Sequence, residues 1–403
     1  MAQPDPVLRL GAVGLGRAFA SMAPSLIGHS RVQLVAAADP HPDARRNCAR
    51  DFGARTYEDA EQLFADPNVD AIYIATPHEL HLQHCLRAFG AGKHVLVEKP
   101  MAMSLNDCQT MVDAARQSGR QLVVGHSHGF DRPFVQAARA IAAGAYGQVR
   151  MVSALNYTNW IYRPRRPEEL APDSAGVVLN QASHQVDIVR MLAGGMATSV
   201  RASTGAWDPL RPAIGAYSAL LQFDSGAFAS LTYNGYDHFD SDEFNGWVGE
   251  LGRSKAPDQS GSARRLLAAQ AGADAEVRLK AGVGYAAIGA APVPDTVDGV
   301  GQWHQQFGLV LVSCDRADLR IGARGIAVYS ANGVQHIPVP AGMGARAGVF
   351  DELHAAATTG QATMHSGRWG MANLEVCLGT LESSRKREEV RLLHQVPVVL
   401  GSY

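Results

Sequence analysis

Five short runs, at 8–13, 34–38, 71–75, 94–97 and 121–124, are apolar at consecutive rather than alternate positions. A strand covered by helices on both faces has this pattern. Between the runs the apolar positions fall at helical spacing. The clearest case starts with Ser104 and Asp107 in a Ser-x-x-Asp arrangement, places Met111, Val112 and Ala115 on one face, and ends near Gly119. Strands alternating with helices predict a parallel sheet over residues 1–127.

Beyond residue 125 the rhythm changes. A helix over 133–143 is followed by alternating stretches at 219–223, 227–233 and 307–313, which predict antiparallel strands in a second, α+β domain spanning 128–403. Residues 253–300 are rich in Gly, Ala and Pro, with a short helical piece at 263–271, and read as a long surface excursion. A last amphipathic helix is predicted over 371–387, its basic end suited to a helix C-terminus.

Composition narrows the function. The chain has 403 residues, is 46% hydrophobic and carries 36 basic against 38 acidic side chains, which describes a soluble folded protein of two or three domains. A pI near 6.7 disfavours a nucleic-acid partner. No stretch of about 18 apolar residues offers a membrane span, and the N-terminus lacks a basic segment followed by an apolar run. Five cysteines without a Cys-x-x-Cys pair predict reduced thiols, a cytoplasmic setting and no zinc ribbon. Only five of the 36 basic residues are Lys.

The first run leads directly into Gly14-Leu15-Gly16-Arg17-Ala18-Phe19. Glycines after a strand and before a helix let the backbone approach a pyrophosphate, and Asp39 at the end of the second run suits the ribose hydroxyls of NAD and repels the 2′-phosphate of NADP. Gly14, Leu15, Gly16, Arg17, Ala18 and Asp39 are therefore candidate cofactor residues, with NAD favoured over NADP. Phe19 stands where a small third residue usually permits close helix packing. Arg45 and Arg46 lie close enough in sequence to favour the phosphate instead. His78, His81 and His84, and His126 with His128, lack a matching carboxylate or Cys set, and no metal is predicted.

Two further runs, Thr76-Pro77-His78-Glu79-Leu80-His81 and Glu98-Lys99-Pro100, follow in order, and Asn180-Gln181-Ala182-Ser183-His184-Gln185-Val186-Asp187 comes later. Taken together the chain resembles the Gfo/Idh/MocA oxidoreductase family along essentially its whole length. The resemblance implies a Rossmann domain followed by an α+β domain with a large, mainly antiparallel open sheet. It adds Thr76, Pro77, His78, His81, Glu98 and Lys99 to the cofactor side, and carries over Lys99, His184 and the position of Asn180 as catalytic. Asn180 stands where many members have Asp, and Ala182 replaces a Gly. Oxidising an alcohol needs a base near its hydroxyl and a cation for the developing alkoxide. His184 is assigned the first task and Lys99 the second, with the opposite assignment open.

The stretch 156–169 joins Tyr157, Trp160 and Tyr162 to Arg163, Arg165 and Arg166. Guanidinium forks bind carboxylates and aromatic faces pack flat rings. The same residues equally suit a loop paired with Glu168, Glu169 and Asp173. This segment is similar to the branch of the family that includes phthalate 4,5-cis-dihydrodiol dehydrogenases, implying oxidation of a carboxylated ring cis-dihydrodiol to a catechol, 4,5-dihydroxyphthalate in that case. Substrate contacts are then assigned to Lys99, His128, Tyr157, Trp160, Arg163, Arg165, Arg166, Asn180 and His184. A sugar or cyclitol dehydrogenase and a non-catalytic NAD-sensing regulator are the alternatives. The resemblance also implies a homodimer or homotetramer.

Overall fold

In a computed structural model the chain is described over residues 6–257, 259–269, 273–281, 284–288, 303–340 and 346–401. Strands β1 (Leu8–Val13), β2 (Val32–Ala38), β3 (Arg55–Tyr57), β4 (Ala71–Ile74), β5 (His94–Glu98) and β6 (Leu122–Gly125) form one sheet, ordered β3-β2-β1-β4-β5-β6, with every pair parallel. Five of these are the apolar runs. The sixth, β3, is short and only partly buried, so it carries no apolar signal. The strand order reverses beside β1, opening a crevice at the C-terminal ends of β1 and β4.

The second sheet contains β7 (Val149–Tyr157), β8 (Ala197–Gly205), β9 (Ala216–Phe223), β10 (Phe228–Asn234), β11 (Leu309–Cys314), β12 (Ala317–Gly322), β13 (Gly325–Ser330), β14 (Gly333–Ile337) and β15 (Val390–Arg391). Its order is β14-β13-β12-β11-β7-β10-β9-β8-β15, and only β7 and β10 pair in parallel. Side chains alternate across it. Val152, Ala154 and Asn156 of β7 and Leu231 and Tyr233 of β10 face inward, where the helix Ser183–Ala193 covers them. Leu220, Phe228 and Tyr329 lie on the outer face, each 40% exposed.

The two sheets are not independently wrapped. The helix Ala347–Thr359 returns to the first sheet, where Val349, Phe350, Leu353 and Ala356 join Leu10, Ala12, Tyr73, Leu96 and Val123 in one apolar cluster. The helix Gly367–Lys386, close to the predicted 371–387, packs on the helix Leu105–Ser118 and on β8.

The stretch 253–300, expected as a surface excursion, is docked on the rest of the chain at several of its described residues. Its described pieces include helices Ser262–Ala268, Ala273–Ala281 and Tyr285–Ile288. The first answers the helical piece expected at 263–271, whose residues 270 and 271 lie outside the described residues. Tyr285 is buried, its ring 4.9 Å from that of Phe19, and its hydroxyl donates to Asp51 at 2.6 Å. Asn47 Nδ2 donates to the carbonyls of Tyr285 and Ala286. The described pieces of the segment, called the strap below, are anchored by an aromatic side chain, and that anchor uses the large residue that breaks the glycine pattern at position 19.

Candidate active site

Gly14 has φ +85, and a Cβ there would lie 2.8 Å from the Ala75 carbonyl oxygen, so only glycine lets the β1 turn pass the end of β4. A Cβ on Gly16 would meet nothing within 4 Å, leaving open space in front of the helix Arg17–Met22. Asp39 accepts the Leu15 amide and the His41 amide, both at 2.7 Å, which fixes its carboxylate beside the turn with lone pairs to spare. Arg45 donates to the carbonyls of Asp39 and Pro40, and Arg46 pairs with Asp43. The cradle therefore fits a dinucleotide whose ribose hydroxyls face Asp39, and both arginines are engaged elsewhere.

Lys99 follows β5 and is half-buried. Its Nζ donates to the Asn180 carbonyl at 2.6 Å. Asn180 lies in a π-helical turn, Val178–Ala182, which loosens the usual backbone ladder and leaves that carbonyl to the ammonium. The Asn180 Oδ1 accepts the Trp160 indole at 3.0 Å and the Gln181 amide at 2.6 Å. Burial lowers the Lys99 ammonium to about 8, with Glu98 opposing and Arg346 and Arg165 adding to the effect. Glu98 in turn accepts the Tyr73 hydroxyl at 2.6 Å.

His184 stands on the next helix. Its ring lies 4.8 Å from that of His128 and 5.1 Å from that of Phe307, and its buried Nδ1 has no hydrogen-bond partner. Burial first, then the positive charges of Lys99 and His128, holds its protonation well below the ordinary imidazole range. A neutral imidazole with a free nitrogen thus lies near enough to an ammonium to feel its charge, and alcohol oxidation needs such a pair.

The arginine-rich loop divides. Arg163 donates to Asn159 at 2.8 Å and pairs with Glu250 at 3.4 Å. Arg166 is exposed and paired with Glu169. Arg165 is buried, stacked 3.9 Å over the Trp160 ring, and its Nε has no partner. Arg346 also has a buried, unpartnered Nε and lies close enough to Lys99 and His184 to depress the protonation of both. The strap closes this side: Glu276 holds Arg211 through two bonds of 3.0 and 2.6 Å and accepts the Arg165 amide at 2.8 Å, and Lys280 pairs with Glu169.

Asp187 lies behind the site rather than in it. Its Oδ1 accepts the Trp369 indole at 2.6 Å and the Asn373 amide at 2.9 Å, and its Oδ2 lies 3.4 Å from His365 Nε2. His365 Nδ1 is 2.9 Å from Glu352. All are buried. Asn373 also reaches His126 at 3.3 Å, and burial pushes that imidazole down to about 4.

Several sequence assignments change. Tyr157 belongs to the outer face of the second sheet, because its neighbour Asn156 faces inward and side chains alternate. Trp160 is buried and orients Asn180 and Arg165 instead of facing substrate. His81 is fully buried, its ring between the carbonyls of Thr76 and Pro100 at 3.1 Å each, so it ties the Thr76-Pro77 loop to the Lys99-Pro100 loop rather than touching cofactor. Thr76, next to exposed Pro77, meets His84 at 3.2 Å, and His78 sits edge-on to His81. His128 has both nitrogens occupied, by Asp131 at 2.9 Å and Glu250 at 3.3 Å. Glu250, Arg346 and Glu276 were invisible as site residues, for each comes from a turn, cap or strap without motif spacing. Among the described residues no three His, Cys, Asp or Glu are grouped to hold a metal.

A sequence profile described as Gfo/Idh/MocA oxidoreductase family, NAD-binding Rossmann fold, matches residues 8–126, and one for the Gfo/Idh/MocA C-terminal domain matches 134–250. The chain is 42% identical over 388 residues, 94% of its own length and 95% of the other's, to 1-carboxy-3-chloro-3,4-dihydroxycyclohexa-1,5-diene dehydrogenase of Comamonas testosteroni. It is 30% identical over 195 residues, 48% of its length and 56% of the other's, to scyllo-inositol 2-dehydrogenase (NAD(+)) of Bacillus subtilis. A solved protein of Bordetella bronchiseptica RB50, described as a dehydrogenase, superposes with a TM-score of 0.88 at 38% identity, covering 96% of this chain and all of that one (100%).

Proposed function

The chain belongs to the Gfo/Idh/MocA oxidoreductase family, and from that premise we propose that it oxidises a carboxylated ring cis-dihydrodiol with NAD to give a catechol. NAD supplies the hydride acceptor when bound. Gly14 to Ala18 and Asp39 hold it. His184 takes the hydroxyl proton as the carbon-bound hydrogen leaves as hydride, and the Lys99 ammonium stabilises the alkoxide character that develops on that oxygen. The resulting ring ketone gives up the hydrogen of its neighbouring hydroxyl-bearing carbon as a proton, its oxygen takes a proton up, and the ring becomes aromatic, which draws the reaction forward.

The observation that carries the reading is the pair of buried, unpartnered Nε atoms on Arg165 and Arg346, two guanidinium groups near enough to Lys99 for their charge to lower its protonation. Buried donors need acceptors, and a substrate carboxylate supplies them. The 4,5-cis-dihydrodiol of phthalate, with two carboxylates, is the member of this class to test first. Following NADH absorbance with carboxylated and uncarboxylated dihydrodiols and with inositols tests the proposal. It expects kcat/KM about ten- to a hundredfold higher for the carboxylated diols, since a charged hydrogen bond contributes about 1.5–3 kcal/mol. Equal or faster turnover of inositols overturns it.

The partly exposed Leu220, Phe228 and Tyr329 on the outer face of the second sheet support a homodimer or homotetramer, which light scattering measures. Five cysteines without a disulfide support a cytoplasmic setting. No helix among the described residues is long and apolar enough to cross a membrane.

A further inference from the structure

Among the described residues, Glu250 is a carboxylate in the site that the reaction above leaves without a task. It sits in the glycine-bounded turn Gly249-Glu250-Leu251-Gly252, closed by the Gly252 amide bonding the Gly249 carbonyl at 2.8 Å. Its Oε1 faces His128 Nε2 at 3.3 Å, and its Oε2 faces both terminal nitrogens of Arg163 at 3.4 Å. Asp131 holds the other side of His128 at 2.9 Å. Through His128, whose ring is 4.8 Å from that of His184, the carboxylate stands one side chain away from the proposed base. Yet 28% of the Glu250 side chain stays exposed.

Arg163 and the His128 ring hold it from behind. Each carboxylate oxygen has room for a further donor, because an ionised carboxylate offers about four lone-pair sites and His128 and Arg163 account for only part of them. Burial alone would favour the neutral acid, but the His128 hydrogen bond and the Arg163 charge outweigh it and hold Glu250 well below the usual carboxylate range. For His128 the balance is similar: burial disfavours its charge, while Asp131 and Glu250 outweigh that and raise it. A carboxylate fixed in this way repels anions and accepts hydroxyl groups. Arg163 is then the residue that orients Glu250, and it is removed from the set that receives a substrate carboxylate.

We propose that Glu250 is a specificity-determining residue that accepts a hydrogen bond from the second, non-reacting hydroxyl of a vicinal diol while the first hydroxyl faces His184 and Lys99. No bond is made or broken at Glu250. This inference deepens the dihydrodiol reading, and rests on it only for the identity of the ring.

The test compares each vicinal diol with the analogue lacking the non-reacting hydroxyl, in wild type, Glu250→Gln and Glu250→Asp. Substrates include carboxylated ring diols and cyclitols with their deoxy analogues. In wild type the diol is preferred; in Glu250→Gln the ratio of kcat/KM for diol over analogue falls about tenfold or more, as removal of a charged acceptor requires, with the change mainly in KM. Glu250→Asp keeps the charge beside His128 and Arg163 but withdraws the oxygens, and lowers the same ratio. It serves as the measurement should the Gln variant fail to fold. A ratio unchanged in the folded variants overturns the proposal, and so does a wild type indifferent to the second hydroxyl. Preference for cyclitols over carboxylated rings defeats the substrate reading alone, and Glu250 is then judged on the cyclitol pair.

Discussion

At the scale of the residue, the division of labour proposed for Lys99 and His184 has a measurable signature. His184 is held neutral far below neutrality, so the base is available across the ordinary range, while Lys99 titrates near 8. If the ammonium is the clamp, kcat/KM for alcohol oxidation falls as pH rises through about 8; if its free amine is the base, the same limb rises. We expect the fall. Lys99→Arg should move that limb upward by more than one unit, because a guanidinium keeps its proton. Lys99→Ala should lower kcat by about a hundredfold or more, the usual cost of losing one oxyanion donor. Both residues stand out as candidates in the sequence because they belong to ordered motifs. Glu250 and Arg346 do not, since a carboxylate in a turn and an arginine at a helix cap become site residues only when two distant segments meet.

At the scale of the element, two features hold the site in place. The first is the strap. Tyr285→Ala removes a buried aromatic anchor from Phe19 and Asp51, and the strap should detach locally while both sheets persist. Limited trypsin digestion, read by mass spectrometry, should then cut at Arg278 and Lys280 at least about tenfold faster than in wild type, as local opening without global unfolding predicts. Docking was not legible beforehand, because glycine and alanine dominate the stretch and its one anchoring tyrosine has no periodic neighbours. The second feature is the buried Asp187–His365–Glu352 group. Burial disfavours the His365 charge, but Asp187 and Glu352 outweigh it and raise the imidazole to about 9. Its stabilisation is complete below about pH 6.5, the free imidazole value, and is lost as pH rises through 9. For Asp187, burial is outweighed by His365 and His126, and the value of about 2 makes its contribution complete above about 4 and lost as pH falls toward 2. The melting temperature should therefore be highest between about 4 and 6.5 and decline toward 9. His365→Gln should flatten the alkaline decline and cost about 3–5 kcal/mol, because it strands two buried carboxylates. The helix Ser183–Ala193 that carries Asp187 is buried on every side, so it lacks the amphipathic stripe by which a helix is read from sequence.

At the scale of the whole molecule, the apolar runs made the parallel sheet legible, and the later alternation marked the second sheet. The wrapping of the first sheet was not legible, because it depends on a helix more than two hundred residues away. A fragment of residues 1–127 lacks Phe130, Tyr285, Val349, Phe350, Leu353 and Ala356, all of which complete the cluster around Leu10, Tyr73 and Val123. We expect that fragment to be aggregated or molten, with weak near-ultraviolet circular dichroism, and a version with residues 346–360 fused back through a flexible linker to regain cooperative melting. The returning helix also bears on how such chains diversify. A single recombination event near residue 127 would graft a foreign lobe onto an unfinished wall, whereas a paired exchange that carries the distant helix along would preserve it. Viable hybrids among relatives should therefore show two breakpoints, and a phylogeny drawn from residues 346–360 should follow the ancestry of the cofactor-binding half rather than that of the sheet surrounding them in sequence.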